Sequence, residues 1–271
     1  MDLPKNEWLA WKIAEYLIKN DYFDEYYGYI GNAIDWLNLC SSLNTVEIEP
    51  NKFDEGLLYC GAAWQYEVDR SKLHSLVTTE LVRFHFAWGA LEHMLPAFFD
   101  LSKGVKGKIN KLCEHLKNQQ LEQVMPDFYE EEYERLISLL LESDEYSDGL
   151  YALGINRTNS FPSSPYINAS GVGIFVVYKI RNRFAHGAMR FPEPEEYSGE
   201  QPHNLEIIAI STRIVLMTIL LLLIGDLKNT VQQKAMKANK DSVWTAIQYL
   251  RSLCTNEIAD DLFFNYSFFE D

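Results

Sequence analysis

Apolar residues recur with a period near 3.6 along most of the chain, which is typical of amphipathic helices. The first apolar stripe covers Trp8–Ile18 and the second covers Ile30–Leu37. A long helix is predicted over about Phe53–Phe99. Pro96 indicates that its regular pattern ends or bends there, because proline lacks the amide hydrogen that a helix interior needs. No ladder of alternating apolar positions suggests strands, so the pattern predicts an all-α fold.

The second half of the chain alternates predicted helices with two long polar loops, Gly154–Gly171 and Gly187–Asn204. Both loops are rich in the Ser, Asn, Pro and Gly residues that favour turns. The short apolar run Gly173–Tyr178 would suit either a strand or a helix. The helices predicted in this half cover Gly104–Gln120, Asp127–Asp148, Gly173–His186, Leu205–Leu227 and Val231–Leu253.

The apolar run Ile214–Gly225 is the one stretch that suggests a membrane span. It has about half of the roughly 20 residues that a span requires, and Arg213 directly precedes it. The chain start also lacks the basic segment and the uninterrupted apolar segment of a secretory signal. These features predict a buried helix, no membrane partner and a cytoplasmic protein.

The chain has 271 residues, of which 47% are hydrophobic, so a single domain over 1–271 has enough apolar surface for one core. The formal net charge of −15 argues against a protein that coats nucleic acid, because such binding relies on many lysine and arginine contacts to phosphates. A local basic site is compatible with this charge. Four basic residues share one window without acids: Lys179, Arg181, Arg183 and Arg190.

Neither the cysteines nor the acidic residues have the spacing of a metal site. The four cysteines stand far apart and have no clustered histidines, which predicts reduced thiols, no metal and no cofactor. The acidic segment Asp127–Asp148 contains no glycine-centred calcium loop. It is expected to form a solvated helix face, or alternatively a surface that mimics nucleic acid or contacts a basic partner. The cysteines are Cys40, Cys60, Cys113 and Cys254.

The segment VYKIRNRFAHGAMRF (Val177–Phe191) carries the candidate chemistry. Asn182 and His186 are four residues apart, so on one helix face the amide can hydrogen-bond the imidazole and fix its tautomer. Arg181 lies about 140° around the helix from His186. The two can meet if the arginine reaches around, if the helix unwinds at Gly187, or if a symmetric partner completes the pair.

A histidine and an arginine without a metal suit the cleavage of RNA by internal transfer. The imidazole can move a proton from a ribose 2′-hydroxyl or to a leaving 5′-oxygen. The guanidinium can hold the phosphate and the charge that builds up in the transition state. A structural interpretation stays open, in which Arg181 and His186 only cap and anchor a helix end.

The sequence RNRFAHG resembles the Arg-polar-x3-His signature of HEPN domains (higher eukaryotes and prokaryotes nucleotide-binding). The Asn after the arginine and the Gly after the histidine are most similar to the Apea-like branch. The upstream segment Arg83–Leu95 is similar to a helix of that family with the pattern A-x-x-A-L-E. Here the pattern falls on Ala87, Ala90, Leu91 and Glu92.

The resemblance covers residues from about 70 to 227, with an acidic helical insertion at about 100–170 and extra helices at both ends. It implies a helical bundle that forms a homodimer with two such motifs in one cleft. It also implies catalytic roles for Arg181, Asn182 and His186. The further residues expected to contribute are Glu92 and Tyr178 as supporting residues, and Lys179, Arg183 and Arg190 as RNA-binding residues.

The supporting residues each have two interpretations. Glu92 either orients Arg181 or is a partly exposed acid on a long helix. Tyr178 either stacks on a base or packs in the core or the dimer interface.

Two functions are compatible with the sequence. The first is a metal-independent endoribonuclease of the HEPN type, a toxin or phage-defence effector that cleaves tRNA or mRNA and is regulated by an antitoxin or another protein. The alternative is a non-catalytic HEPN-like module for dimerisation or for nucleotide or protein binding. The acidic charge favours the alternative, because a free ribonuclease associates faster with RNA in a positive field.

Overall fold

The structure is a computed structural model that describes residues 5–20, 27–49, 52, 61–103, 106–156, 158–162, 164–194, 203–233 and 240–254. Within these ranges the chain forms nine α-helices, one short 3-10 helix and no strand. The prediction of an all-α fold is therefore confirmed, and the ambiguous run Gly173–Tyr178 is helical.

The helices follow the predicted order along the chain. The 3-10 helix is Glu122–Val124. The α-helices are α1 (Asn6–Lys19), α2 (Tyr27–Ser42), α3 (Gly61–Phe98), α4 (Lys108–Asn118), α5 (Tyr129–Glu142), α6 (Asp144–Tyr151), α7 (Ala169–Ala185), α8 (His203–Gln233) and α9 (Lys240–Ser252).

Helix α8 is the centre of the bundle. It packs against α1, α3, α4, α5, α7 and α9. Every residue of Ile214–Gly225 is buried, which explains why this helix is apolar around its whole circumference. Its buried Thr212 and Thr218 hydroxyls donate to carbonyls one turn earlier, at 3.0 and 2.7 Å, so these polar groups are satisfied inside the core.

By length and composition, α8 could also cross a membrane, because Asn204–Asn229 contains an 18-residue window with a mean hydropathy of 2.6. However, 89% of that window is buried inside the bundle, and the core helix of a soluble protein passes the same test. The prediction of a buried helix is confirmed. The helix has 31 residues and extends well beyond the apolar run, so the shortness of that run does not by itself exclude a span. Burial, not length, explains its apolar character.

Helix α3 is the longest element, with 38 residues, and it packs on α2 and α8. It ends at Phe98, two residues after Pro96, which agrees with the predicted end of the pattern. The buried Arg83 connects α3 to its neighbours. Its guanidinium forms ion pairs with Glu80 and with Glu7 of α1, the latter at 2.8 Å, and donates to the carbonyl of Leu43 at 2.9 Å.

The acidic segment differs from the single solvated helix that was predicted. It forms two helices, α5 and α6, which are separated at Ser143. One face of α5 is buried against α8. Glu132 on that face is 3% exposed and lies 3.6 Å from Arg213 of α8. Part of the acidic segment therefore lies in the core, where the Glu132 carboxylate is paired with a cation of the central helix.

Candidate functional site

Helix α7, which carries the candidate motif, is held close to three neighbouring helices. A Cβ atom added at Gly171 would lie 3.2 Å from Cys113 of α4. One added at Gly173 would lie 2.7 Å from the hydroxyl of Tyr129 in α5 and 3.0 Å from Ile214 of α8. Only glycine allows these approaches without displacing a neighbour. This packing fixes the start of α7 and thereby the direction of its C-terminal half.

Ring contacts connect the C-terminal half of α7 to the middle of α3. Phe184 meets Phe84 edge to face, with ring centroids 5.7 Å apart. Tyr178 stacks on Trp88 at 6.3 Å with an angle of 19° between the ring planes. The two segments on which the family resemblance depends, Arg83–Leu95 and the motif, therefore lie side by side.

The end of α7 has the hydrogen-bond pattern of a Schellman motif. The Gly187 N–H donates to the Phe184 carbonyl at 3.1 Å, and the Ala188 N–H donates to the Arg183 carbonyl at 2.9 Å. Gly187 has a φ of 65°, the left-handed conformation that glycine adopts at little cost. The helix therefore ends before Gly187, which is one of the three ways considered for bringing Arg181 and His186 together, and His186 is exposed at this end.

A cavity of about 290 Å³ lies between α3, the start of α4 and α7. It is lined by Trp88 and Glu92 of α3, by Tyr178 and Arg181 of α7, and by residues 107–110. The guanidinium carbon of Arg181 is 5.8 Å from the centroid of the Trp88 ring, a cation–π distance. Three residues of the predicted site, Arg181, Glu92 and Tyr178, thus surround one space.

Arg181 and Glu92 share this cavity without a direct bond. Among the residues that the structure describes, neither side chain takes part in an ion pair or a hydrogen bond. The ring of Trp88 holds the guanidinium in place, and the five N–H donors of the guanidinium stay available for another ligand. Glu92 and Arg181 therefore line the same cavity but do not form the expected pair.

His186 lies apart from the cavity. It follows the last turn of α7, five residues after Arg181 and on another face, so one chain does not bring both side chains to the same space. Asn182 is half-buried, and within the described part of the chain its amide forms no hydrogen bond with the imidazole. The expected contact between Asn182 and His186 is thus absent from the single chain.

The three predicted RNA-binding cations have different environments. Lys179 is exposed, and its ammonium is 5.2 Å from the Phe175 ring. Arg190 is exposed beyond the helix end. Arg183 is only half-exposed, since its guanidinium packs over the Tyr146 ring of α6 at 5.0 Å. Lys179 and Arg190 present their charge to solvent, whereas Arg183 also anchors α6.

The described cysteines are buried free thiols, Cys40, Cys113 and Cys254, while Cys60 lies outside the described residues. Burial raises the pKa of the Cys40 and Cys113 thiols to about 12, so both stay protonated and unreactive near neutral pH. In the part of the chain that the structure describes, no group of three or more His, Cys, Asp or Glu residues could hold a metal ion.

Sequence reasoning missed the contributions of Trp88 and of the start of α4 to the cavity. Trp88 looked like one more apolar position of a long stripe. Lys108 and Asn110 looked like part of a short basic helix. A signal was present in the sequence GVKGKIN, because glycine directly before a lysine-headed helix indicates an N-terminus without a side-chain cap.

No protein-family model matches the chain, and no curated protein or solved structure matches it either.

Proposed function

We propose that the protein is a metal-independent endoribonuclease of the HEPN type. The observation that carries this proposal is the position of Arg181. Its guanidinium lines an open cavity beside Glu92 and Tyr178 and is not occupied by an ion pair in the described structure. The exposed imidazole of His186 follows on the same helix end. A phosphate-holding group and a proton-transferring group are thus both accessible, and the reaction needs both.

The proposed reaction requires no ion. His186 accepts the proton of a ribose 2′-hydroxyl, and the oxygen attacks the adjacent phosphorus. The bond to the 5′-oxygen breaks, and that oxygen leaves as a hydroxyl after it receives a proton from the protonated imidazole. The products are a 2′,3′-cyclic phosphate and a 5′-hydroxyl. Arg181 stabilises the negative charge that develops on the non-bridging oxygens, and Asn182 orients the imidazole that a second copy of the chain brings to the site.

The active unit in this proposal is a homodimer. Arg181 and His186 occupy different faces of one α7, so the site of a single chain is incomplete. A twofold axis near the exposed end of α7 would bring His186 of one copy to the Arg181 cavity of the other. A symmetric dimer forms two such sites. The resemblance further suggests a cytoplasmic toxin or phage-defence effector under the control of an antitoxin or another regulatory protein.

Cleavage of RNA in the presence of EDTA tests the reaction. The wild-type protein should leave 2′,3′-cyclic phosphate ends, and both Arg181→Ala and His186→Ala should reduce the rate by about 100-fold or more. His85→Ala serves as the control, because His85 is exposed on α3 and does not line the cavity. Circular dichroism verifies that each variant is folded. Cleavage that persists in His186→Ala, or that EDTA alone abolishes, contradicts the mechanism.

The non-catalytic module remains the second candidate, and two observations favour it. The net charge is −15, and the Asn182 amide does not contact the imidazole in the described chain. If growth arrest on expression is unchanged by Arg181→Ala and His186→Ala, and purified protein cleaves no RNA, the module is the correct function. Growth arrest that either substitution relieves favours the ribonuclease.

A further inference from the structure

The chain that follows α2 runs along α3 as an extended segment. The Val46 N–H donates to the Thr79 hydroxyl at 2.9 Å, and the Ile48 N–H donates to the Ser75 hydroxyl at 3.0 Å. Two residues of this segment therefore cover the same distance as four residues of the helix. Four helical residues rise by about 6 Å, so each residue of the segment advances by about 3 Å, which is the rise of a β-strand. Residues 43–49 are thus named the extended segment.

The extended segment is held antiparallel to α3 by side chains of that helix. Arg83, one helical turn after Thr79, donates to the Leu43 carbonyl at 2.9 Å. Ser75, Thr79 and Arg83 are spaced four residues apart and therefore share one face of α3. They occupy the places that the backbone groups of a neighbouring strand would occupy in a sheet. One backbone edge of the extended segment is accordingly bound to a helix.

The other backbone edge of the extended segment is unpaired. In an extended chain, the N–H and C=O groups of successive residues point to opposite edges. Because Val46 and Ile48 face α3, the backbone groups of Thr45 and Glu47 point away from it. In the described structure these groups form no hydrogen bond, and both residues are exposed. An unpaired strand edge can pair with another extended chain, so this free edge is able to bind one.

The side chains of the extended segment alternate between two environments. Val46 and Ile48 are half-buried, whereas Thr45, Glu47 and Glu49 are exposed. Neither glutamate carboxylate takes part in an ion pair or a hydrogen bond with another described residue. A chain paired with the free edge would therefore place alternate side chains beside two unpaired carboxylates and the others beside apolar groups.

A second copy of the extended segment does not fit this edge. Antiparallel pairing of two copies brings Glu47 and Glu49 of one copy directly or diagonally opposite glutamates of the other, and like charges in these positions are destabilising. The net charge of −15 on each chain adds to this repulsion. Charge complementarity favours a basic chain instead.

We propose that the free edge of the extended segment docks an extended segment of a partner protein in which lysine or arginine alternates with apolar residues. The backbone of the partner pairs with Thr45 and Glu47. Its basic side chains lie beside Glu47 and Glu49, and its apolar side chains lie beside Val46 and Ile48. The backbone hydrogen bonds supply affinity, and the alternation of charged and apolar positions supplies specificity.

Titration of the isotope-labelled protein with the end-blocked peptide KVKVKVK, followed by NMR, tests the proposal. Bound peptide should slow the hydrogen exchange of the Glu47 amide. In an antiparallel pair the lysine amides face the protein, so N-methylation of these amides should weaken binding by about tenfold or more. N-methylation of the valine amides, which face solvent, keeps the charge and composition and should change binding by less than about twofold.

Variants of the protein test the charge complementarity. Glu47→Lys should weaken binding of KVKVKVK by about fivefold, because cross-strand attraction becomes repulsion. Glu134→Lys, the same charge change at an exposed position of α5, is the matched control and should leave binding within about twofold.

Three results overturn the docking site. The first is that the unmodified peptide does not bind. The second is equal binding of both methylated peptides, or equal weakening in Glu47→Lys and Glu134→Lys, because attraction by net charge alone then explains the affinity. The third is protection of the Thr45 and Glu47 amides that increases with protein concentration in the absence of peptide, since this would assign the free edge to a second copy of the chain.

Discussion

At the scale of single residues, the end of α7 depends on one backbone conformation. Gly187 has a φ of 65°, and a Cβ added there would meet nothing within 4 Å. A substitution at this position is therefore unfavourable for conformational reasons alone. Because the Schellman bonds of Gly187 and Ala188 end the helix directly after His186, the same conformation sets where the imidazole stands.

Gly187→Ala should lower the free energy of unfolding by about 1 kcal/mol, since a residue with a Cβ is strained in the left-handed region. If His186 is catalytic, the variant should also cleave RNA more slowly. Gly187→Asn is the matched control, because asparagine adopts this conformation more readily than alanine. Urea denaturation measures the stability. An alanine variant that is as stable as the asparagine variant contradicts the conformational argument.

Arg83 is a second residue on which the packing of several elements depends. Its side chain is 4% exposed and pairs with Glu7 and Glu80. Arg83→Ala should lower the free energy of unfolding at pH 7 by about 1–3 kcal/mol, because it leaves the partly buried Glu7 and Glu80 carboxylates and the Leu43 carbonyl without their donor. Lys72→Ala, whose side chain is 70% exposed beside Asp69, should change it by less than about 1 kcal/mol.

The effect of Arg83→Ala should also depend on pH. Burial raises the pKa of the Glu80 carboxyl, and Arg83 opposes that shift. Without the arginine the pKa rises further, so the folded state binds a proton more tightly than the unfolded state. Stability that is lost at pH 7 should therefore return as the pH falls towards 5. Urea denaturation at both values checks this, and a pH-independent loss would show that Glu80 is not the cause.

At the scale of helices, the position of the motif depends on close contacts at the opposite end of α7. Gly173→Ala should lower the free energy of unfolding by about 1–3 kcal/mol, because the new methyl group overlaps Tyr129 and Ile214. Gly31→Ala on α2 is the opposite case, since nothing lies within 4 Å of its added Cβ. It should raise stability by up to about 1 kcal/mol through better helix propensity. Thermal denaturation of both variants tests the difference in sign.

The elements that depend on local pattern could be predicted from the sequence, and the contacts between distant elements could not. Apolar periodicity located the helices, and Gly187 indicated the end of α7. The break at Ser143 was missed, because acidic and apolar residues keep a helical spacing across it. The cavity was missed because it combines residues 88–92, 107–110 and 178–181, and no local pattern relates these segments. The buried indole N–H of Trp88, which has no hydrogen-bond partner among the described residues, likewise results from the packing of distant elements.

At the scale of the whole molecule, the separation of Arg181 from His186 predicts that two chains complete each site. Equal amounts of the Arg181→Ala and His186→Ala proteins, mixed and allowed to exchange subunits, should recover about a quarter of the wild-type activity. Half of the dimers are then mixed, and each mixed dimer holds one intact site out of two. RNA cleavage measures the recovery, and sedimentation verifies the dimer. Two inactive proteins that stay inactive after exchange contradict a shared site.

The central position of α8 has a consequence for how the protein is made. Of the six helices that surround it, α1, α3, α4, α5 and α7 precede it in the chain, and only α9 follows. During translation, the apolar helix α8 is therefore synthesised after five of the six helices that pack on it. This order matters because α8 is long and apolar enough to be recognised by the membrane-insertion machinery. The helices already synthesised can pack on α8 as α8 leaves the exit tunnel. Only the face of α8 that contacts α9 stays exposed until α9 has been synthesised.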